Sequence, residues 1–210
     1  MADEFSNRWV VVSGASSGIG RAIAIALSRA GARVVLLGRR EERLRETAAL
    51  CADPAGVEVL PIDLSQIDAI APAITALSSR IGRIYGLCHS AGTVQTLPLT
   101  SLRPERVRAA LEVNFFAGIE LSRAISRREV LDGESASMLW IASVYAHTAA
   151  PGQIAYCASK GAVVSAVRAL ALELAPRKVR VNSLSPGFVR TEMTTGGATA
   201  LSEEQWAQIQ

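Results

Sequence analysis

Short runs of β-branched and other apolar residues alternate along the chain with longer, alanine-rich stretches of helical spacing. Strands are expected at Trp9 to Ser13, Arg33 to Leu37, Val57 to Pro61, Ile84 to Cys88, Ser137 to Ala142 and Val179 to Leu184. Between them the spacing predicts helices over Ile19 to Arg29, Glu41 to Leu50, Ile67 to Ser79, Ile154 to Leu174 and a long one from about Pro104 to Glu129. Strands that are apolar on both faces and alternate with helices imply an α/β protein. Its sheet is parallel and covered by helices on both sides. Right-handed crossovers then wind the chain both ways from the middle of the sheet. Ligands in such sheets bind beyond the carboxyl ends of the strands, so chemistry is sought in the residues that follow each strand.

Composition narrows the picture without redirecting it. The 210 residues suit one domain, half of them are hydrophobic and a fifth are charged, which is enough for a full core. A net charge of +3 is too small to mark a nucleic-acid binder. Cys51, Cys88 and Cys157 lie far apart and form no CxxC pair, so a reduced, cytoplasmic protein without a metal site is expected. The first residues lack a basic segment followed by an apolar one, and no leader is expected. Arg21, Arg29, Arg168 and Glu173 interrupt the alanine-rich stretches, and no membrane span is expected.

The first strand runs into Ser13-Gly14-Ala15-Ser16-Ser17-Gly18-Ile19-Gly20, where a helix starts. Glycines let the backbone turn tightly and approach a pyrophosphate, and the helix start offers free N–H groups to it. A tight turn with no ligand uses the same glycines, but the position after the first strand of an α/β pattern argues for a dinucleotide in a Rossmann-type fold. The second strand ends in Gly38-Arg39-Arg40, where an NAD-binding chain places an acid for the ribose 2′-hydroxyl. Gly38 leaves room, and Arg39, with Arg40 beside it, can pair with a 2′-phosphate. NADP(H) is therefore expected over NAD(H), against the alternative that Arg39 is an exposed charge at a helix start. Glu41 and Glu42 fit the opening of the next helix.

Tyr156-Cys157-Ala158-Ser159-Lys160 places a tyrosine and a lysine one helical turn apart. A cation beside a phenol lowers its pKa from near 10, which moves tyrosine toward general acid–base work. The preceding strand ends at Ser143, whose hydroxyl could bond a substrate carbonyl.

With these motifs in order, the chain resembles the short-chain dehydrogenase/reductases from about Trp9 to Thr191, and most closely their 3-oxoacyl-carrier-protein reductase-like branch. Gly14, Gly18 and Gly20 match the family's cofactor glycines, with Ser16, Ser17 and Ile19 in the same turn. The resemblance implies that Asp63 and Leu64 contact the adenine. It implies that Ala91 and Gly92, in His89-Ser90-Ala91-Gly92, belong to a cofactor loop; that loop departs from the family's Asn-Asn-Ala-Gly at its first two positions. Pro186, Gly187 and Thr191 would flank the nicotinamide. Asn114, Ser143, Tyr156 and Lys160 match the catalytic set, with Asn114 positioning a proton-relay water and Lys160 also holding the nicotinamide ribose. A homodimer or homotetramer is implied as well.

The resulting expectation is an NADPH-dependent reduction of a carbonyl, first of a 3-oxoacyl thioester on acyl-carrier protein or coenzyme A. The alternative is a dehydrogenase of a small sugar, polyol or secondary alcohol, and a cofactor-binding sensor without turnover is a third reading. Arg127, Arg128 and Arg177 are candidate contacts for an acidic carrier, although solvated surface charge is the stronger reading of them. His89 reads as packed beside the cofactor, His147 as a solvent-facing loop residue, and Cys157 as a space filler. Residues 188–210, with Met193, Trp206 and the helix-capping pattern Ser202-Glu203-Glu204-Gln205, read as a substrate lid or a surface helix. Members of the family usually continue through a further helix and strand beyond the position of Gln210.

Overall fold

Apolar strands need cover on both faces, and the helices supply it. The structure, a computed structural model, describes residues 5–133 and 135–196. Among these, β1 (Trp9–Ser13), β2 (Arg33–Gly38), β3 (Val57–Pro61), β4 (Ile84–His89), β5 (Ser137–Ile141) and β6 (Arg180–Leu184) form one parallel sheet in the order β3-β2-β1-β4-β5-β6. The helices are α1 (Gly18–Arg29), α2 (Glu41–Ala49), α3 (Ile67–Ile81), α4 (Pro104–Leu111), α5 (Ala117–Ile125), α6 (Ile154–Leu174) and α7 (Glu192–Thr195). Val10 and Val12 of β1 face a core shared with Ala24 of α1 and Leu44 of α2. Val11 faces the opposite core, which Ile70 and Ile74 of α3, Leu121 and Ile125 of α5, and Val163 and Val167 of α6 complete. This alternation along a fully buried strand is what a two-sided sheet requires. The fold is the expected Rossmann-type α/β arrangement.

The expected helix from Pro104 to Glu129 is broken. A π-helical turn, Glu112–Phe116, separates α4 from α5, and the helix ends at Ile125. Beyond it the chain turns so that Val130 and Leu131 are buried against the start of β4, where the Ile84 N–H donates to the Val130 carbonyl at 2.8 Å. The stretch from Ile154 to Arg177 is, against expectation, long and apolar enough to cross a bilayer by length and composition. In the fold one face of it packs against β6, with Ala155, Ser159, Val163 and Val167 buried, while Ile154 and Leu172 are exposed.

Chain direction reverses between β1 and β4. From β1 the chain moves outward to β2 and β3, then crosses to β4 and continues outward to β5 and β6. Loops leaving the carboxyl ends of β1 and β4 therefore diverge to opposite faces and leave a crevice between them, which is where ligands bind in such sheets.

Candidate active site

The crevice is a cavity of about 630 Å³ lined from all six strand ends. The turn after β1 contributes Gly14, Ser16, Ser17, Gly18, Ile19 and Gly20. Gly38, Arg39 and Arg40 follow β2, Asp63 and Leu64 follow β3, and Ala91 and Gly92 follow β4. Ser143, Tyr156 and Lys160 line the wall built by β5 and α6, and Pro186, Gly187 and Thr191 line the wall after β6. Every expected site residue except Asn114 therefore borders one cavity. Met193 borders it too, whereas Trp206 and Ser202-Glu203-Glu204-Gln205 lie outside the described residues.

The glycine turn is shaped for a close ligand. Gly14 has φ +70°, and a Cβ there would stand 2.8 Å from the Ala91 backbone. A Cβ on Gly20 would collide with the Gly14 carbonyl. At the start of α1 the Ser17 side chain makes no capping bond, and the first turn holds no acid. Its N–H groups are thus left for an anion, and the residues present fit a dinucleotide pyrophosphate. Sequence reasoning missed what holds this turn. Thr47 of α2 donates to the Ala15 carbonyl at 2.9 Å, and Arg21 donates to the Ser16 carbonyl at 2.7 Å. Both lie in helices whose surface pattern carries no sign of the role.

At the β2 end, a side chain on Gly38 would meet Ser16 and Leu44 at 3.3–3.7 Å, which leaves little space for an acid. Asp63 is turned inward, with Oδ1 accepting from the backbone and hydroxyl of Ser65 at 3.0 and 2.9 Å. The Ser65 N–H, chiefly, holds its carboxyl below the usual range, and the Arg39 charge adds to this.

The loop after β4 hangs on Ser13. Its hydroxyl oxygen accepts the N–H groups of Ser90 and Ala91, both at 3.1 Å, and lies 2.8 Å from His89 Nδ1. Two bonds accepted leave its proton for His89, so Nδ1 accepts and the imidazole proton sits on Nε2. His89 is 1 % exposed and stacks edge-on against Trp140. It is buried beneath the loop and is not among the residues that line the cavity, which takes in Ser90 and Ala91. Burial, followed by the Lys160 charge, pushes its pKa down to about 3.

Asn114 sits in the π turn, fully buried. Its Oδ1 accepts from Thr93 N–H at 2.7 Å, and its Nδ2 donates to the Thr93 carbonyl and to Ser159 Oγ, both at 2.9 Å. With both amide hydrogens used, it pins the loop after β4 to α6, and it has no donor left for a water.

Lys160 Nζ donates to the Ile141 carbonyl at 2.7 Å and lies 5.8 Å from the centre of the Tyr156 ring. Burial lowers its pKa to about 8. Tyr156 behaves differently from expectation. Burial raises its pKa, and a hydrogen bond with Ser143 offsets this in part. The lysine is held by the Ile141 carbonyl, and burial is the largest influence on the phenol. Ser143 Oγ accepts from Tyr145 N–H at 3.2 Å, which leaves its own proton to donate. His147 is exposed, with Nε2 3.2 Å from Ser185 Oγ, and Cys157 Sγ reaches the Thr148 carbonyl at 3.8 Å. A donor hydroxyl, a protonated phenol and a lysine thus share one wall of the cavity, an arrangement able to protonate an oxyanion.

Comparison with known proteins agrees with this geometry. A family model described as short chain dehydrogenase matches residues 8–201. D-erythrulose reductase of Gallus gallus is 33% identical over 189 residues, which cover 90% of this chain and 74% of that protein. L-xylulose reductase of Mesocricetus auratus is 30% identical over 204 residues, covering 97% and 80%. A gluconate 5-dehydrogenase of Burkholderia cenocepacia J2315, solved with NADP and tartrate, superposes with a TM-score of 0.84 at 28% identity over 92% of this chain and 76% of that one. Other solved neighbours hold NADH or NADPH. The chain is an oxidoreductase that belongs to the short-chain dehydrogenase family.

Proposed function

We propose that the protein uses NADPH to reduce the carbonyl of a small polyhydroxylated ketone. The observation that carries this reading is that a single cavity joins the glycine turn and Arg39 at one end to Ser143, Tyr156 and Lys160 at the other. Gln95, Thr93 and Glu112 line the same cavity, and their polar ends suit substrate hydroxyls. The relatives named for erythrulose and xylulose support the ketose class. A carrier-bound thioester, the first expectation from the sequence, has less support. Arg127 and Arg128 lie beside the start of β4, and Arg177 lies just before β6. Those strand starts are at the far end of the sheet from the cavity, and a carrier docked there would present its thioester to the wrong side.

The glycine turn, Arg39 and the segment with Pro186 and Gly187 would hold the nicotinamide cofactor, which would supply the hydride for the carbonyl carbon. Ser143 donates its free proton to the carbonyl oxygen, a bond that strengthens as negative charge gathers there. Tyr156 gives its proton to the same oxygen, which is the task of a general acid in the reducing direction. The phenolate left behind is stabilised by the Lys160 cation, 5.8 Å from the ring centre. Asn114 acts through others, by fixing Thr93 and Ser159. Arg39 and Arg40 favour the 2′-phosphate form of the cofactor through charge-assisted bonds.

The test is NADPH oxidation by the wild-type chain with erythrulose, xylulose and an acetoacetyl thioester in parallel. The ketoses should exceed the thioester by more than about tenfold in kcat/KM, because a site that bonds hydroxyls discriminates against substrates lacking them. Faster turnover of the thioester would overturn the substrate class.

A further inference from the structure

Glu192 spans the cavity from one wall to the other. It opens α7, on the wall that carries Pro186 and Gly187, yet its carboxylate lies 2.7 Å from Nη2 of Arg43 in α2. Its other oxygen is 4.0 Å from Nη2 of Arg40. Arg39, Arg40 and Glu192 all line the cavity. The contact is held from both sides. Thr191, just before Glu192, sets its methyl group 3.2 Å from where a Cβ on Gly18 would be, which fixes this segment against the glycine turn. Arg43 also bonds Glu46 at 3.0 Å, and Glu46 accepts from Arg21 at 3.1 Å, the residue that grips the Ser16 carbonyl. The Glu192 and Glu46 charges keep the Arg43 guanidinium above its ordinary pKa.

We propose that Glu192 is an internal competitor for the cofactor's 2′-phosphate and so sets how strongly the protein selects the phosphorylated cofactor. This rests on the NADP reading above. The carboxylate stands at the arginines that follow Gly38, where that phosphate must bind. A phosphate monoester carries nearly two negative charges, and one carboxylate cannot share the arginines with it without repulsion. Binding of the phosphate therefore expels Glu192 from Arg40 and Arg43. A cofactor with a bare 2′-hydroxyl leaves the ion pair in place. Removing the carboxylate should tighten binding of the phosphorylated ligand alone.

Calorimetric titration of the full chain with 2′,5′-ADP and with 5′-AMP isolates the phosphate, since the two nucleotides differ there alone. In Glu192→Gln the Kd for 2′,5′-ADP should fall by about two- to fivefold, the range of an exposed ion pair, with 5′-AMP unchanged. In an Arg43→Gln background the same substitution should gain less. No gain for 2′,5′-ADP, or an equal gain for both nucleotides, overturns the competitor role while a wild-type preference for 2′,5′-ADP keeps the NADP reading. Equal affinity of the wild type for both nucleotides overturns the NADP reading and the competitor role with it.

Discussion

His89 is the side chain whose burial has the largest consequence outside the cavity. Its folded-state pKa near 3 lies below the ordinary 6.5, so the folded chain refuses a proton that the unfolded chain binds. Above pH 6.5 neither state is protonated there, and the residue leaves stability independent of pH. As pH falls from 6.5 toward 3, the unfolded state gains a proton and stability drops by about 1.4 kcal/mol per unit. Relative to His89→Asn, the wild type should therefore lose about 2 kcal/mol between pH 6.5 and 5 in urea unfolding. Parallel losses in the two proteins would contradict this. The sequence marked His89 as a departure from its family's loop, but its partner Ser13 is distant in sequence and joins it only because β1 and β4 pair. Tyr156, Lys160 and Ser143 were legible because spacing on one helix and the end of one strand places them. The direction of the Tyr156 shift was not legible, because it depends on how deeply the ring is buried and on which group holds the lysine.

Among the elements, strands and crossover helices could be read within a residue or two, since each has its own apolar period. The π turn could not. One inserted residue leaves the apolar pattern of Pro104 to Ile125 looking like a single helix, and the partners of the turn's Asn114, Thr93 and Ser159, lie elsewhere in the chain. Close packing hides in the same way. A Cβ on Gly118 of α5 would stand 2.6 Å from the Trp140 ring and 2.8 Å from His89 Cδ2. Both side chains are buried, so neither can move aside cheaply. Gly118→Ala should cost about 1–3 kcal/mol in urea unfolding despite the better helix propensity of alanine. A change within about 0.5 kcal/mol would show that α5 can shift outward instead.

For the whole molecule, the sheet brings its six strand ends to one cavity. Alternating strands and helices foretold this class of fold, while pairings such as Thr47 with Ala15, or Glu192 with Arg43, had to wait for the fold. In the proposed function the glycine turn and Arg39 hold one end of the cofactor, and Tyr156 stands at the other. In the proposed function this tyrosine delivers the proton in an NADPH-dependent reduction. The direct test measures NADPH affinity and ketone turnover together in Tyr156→Phe. Affinity should stay within about twofold of the wild type, and kcat/KM should fall on the order of a thousandfold. Turnover that survives at near wild-type rates in the phenylalanine variant, with NADPH still bound, would contradict it.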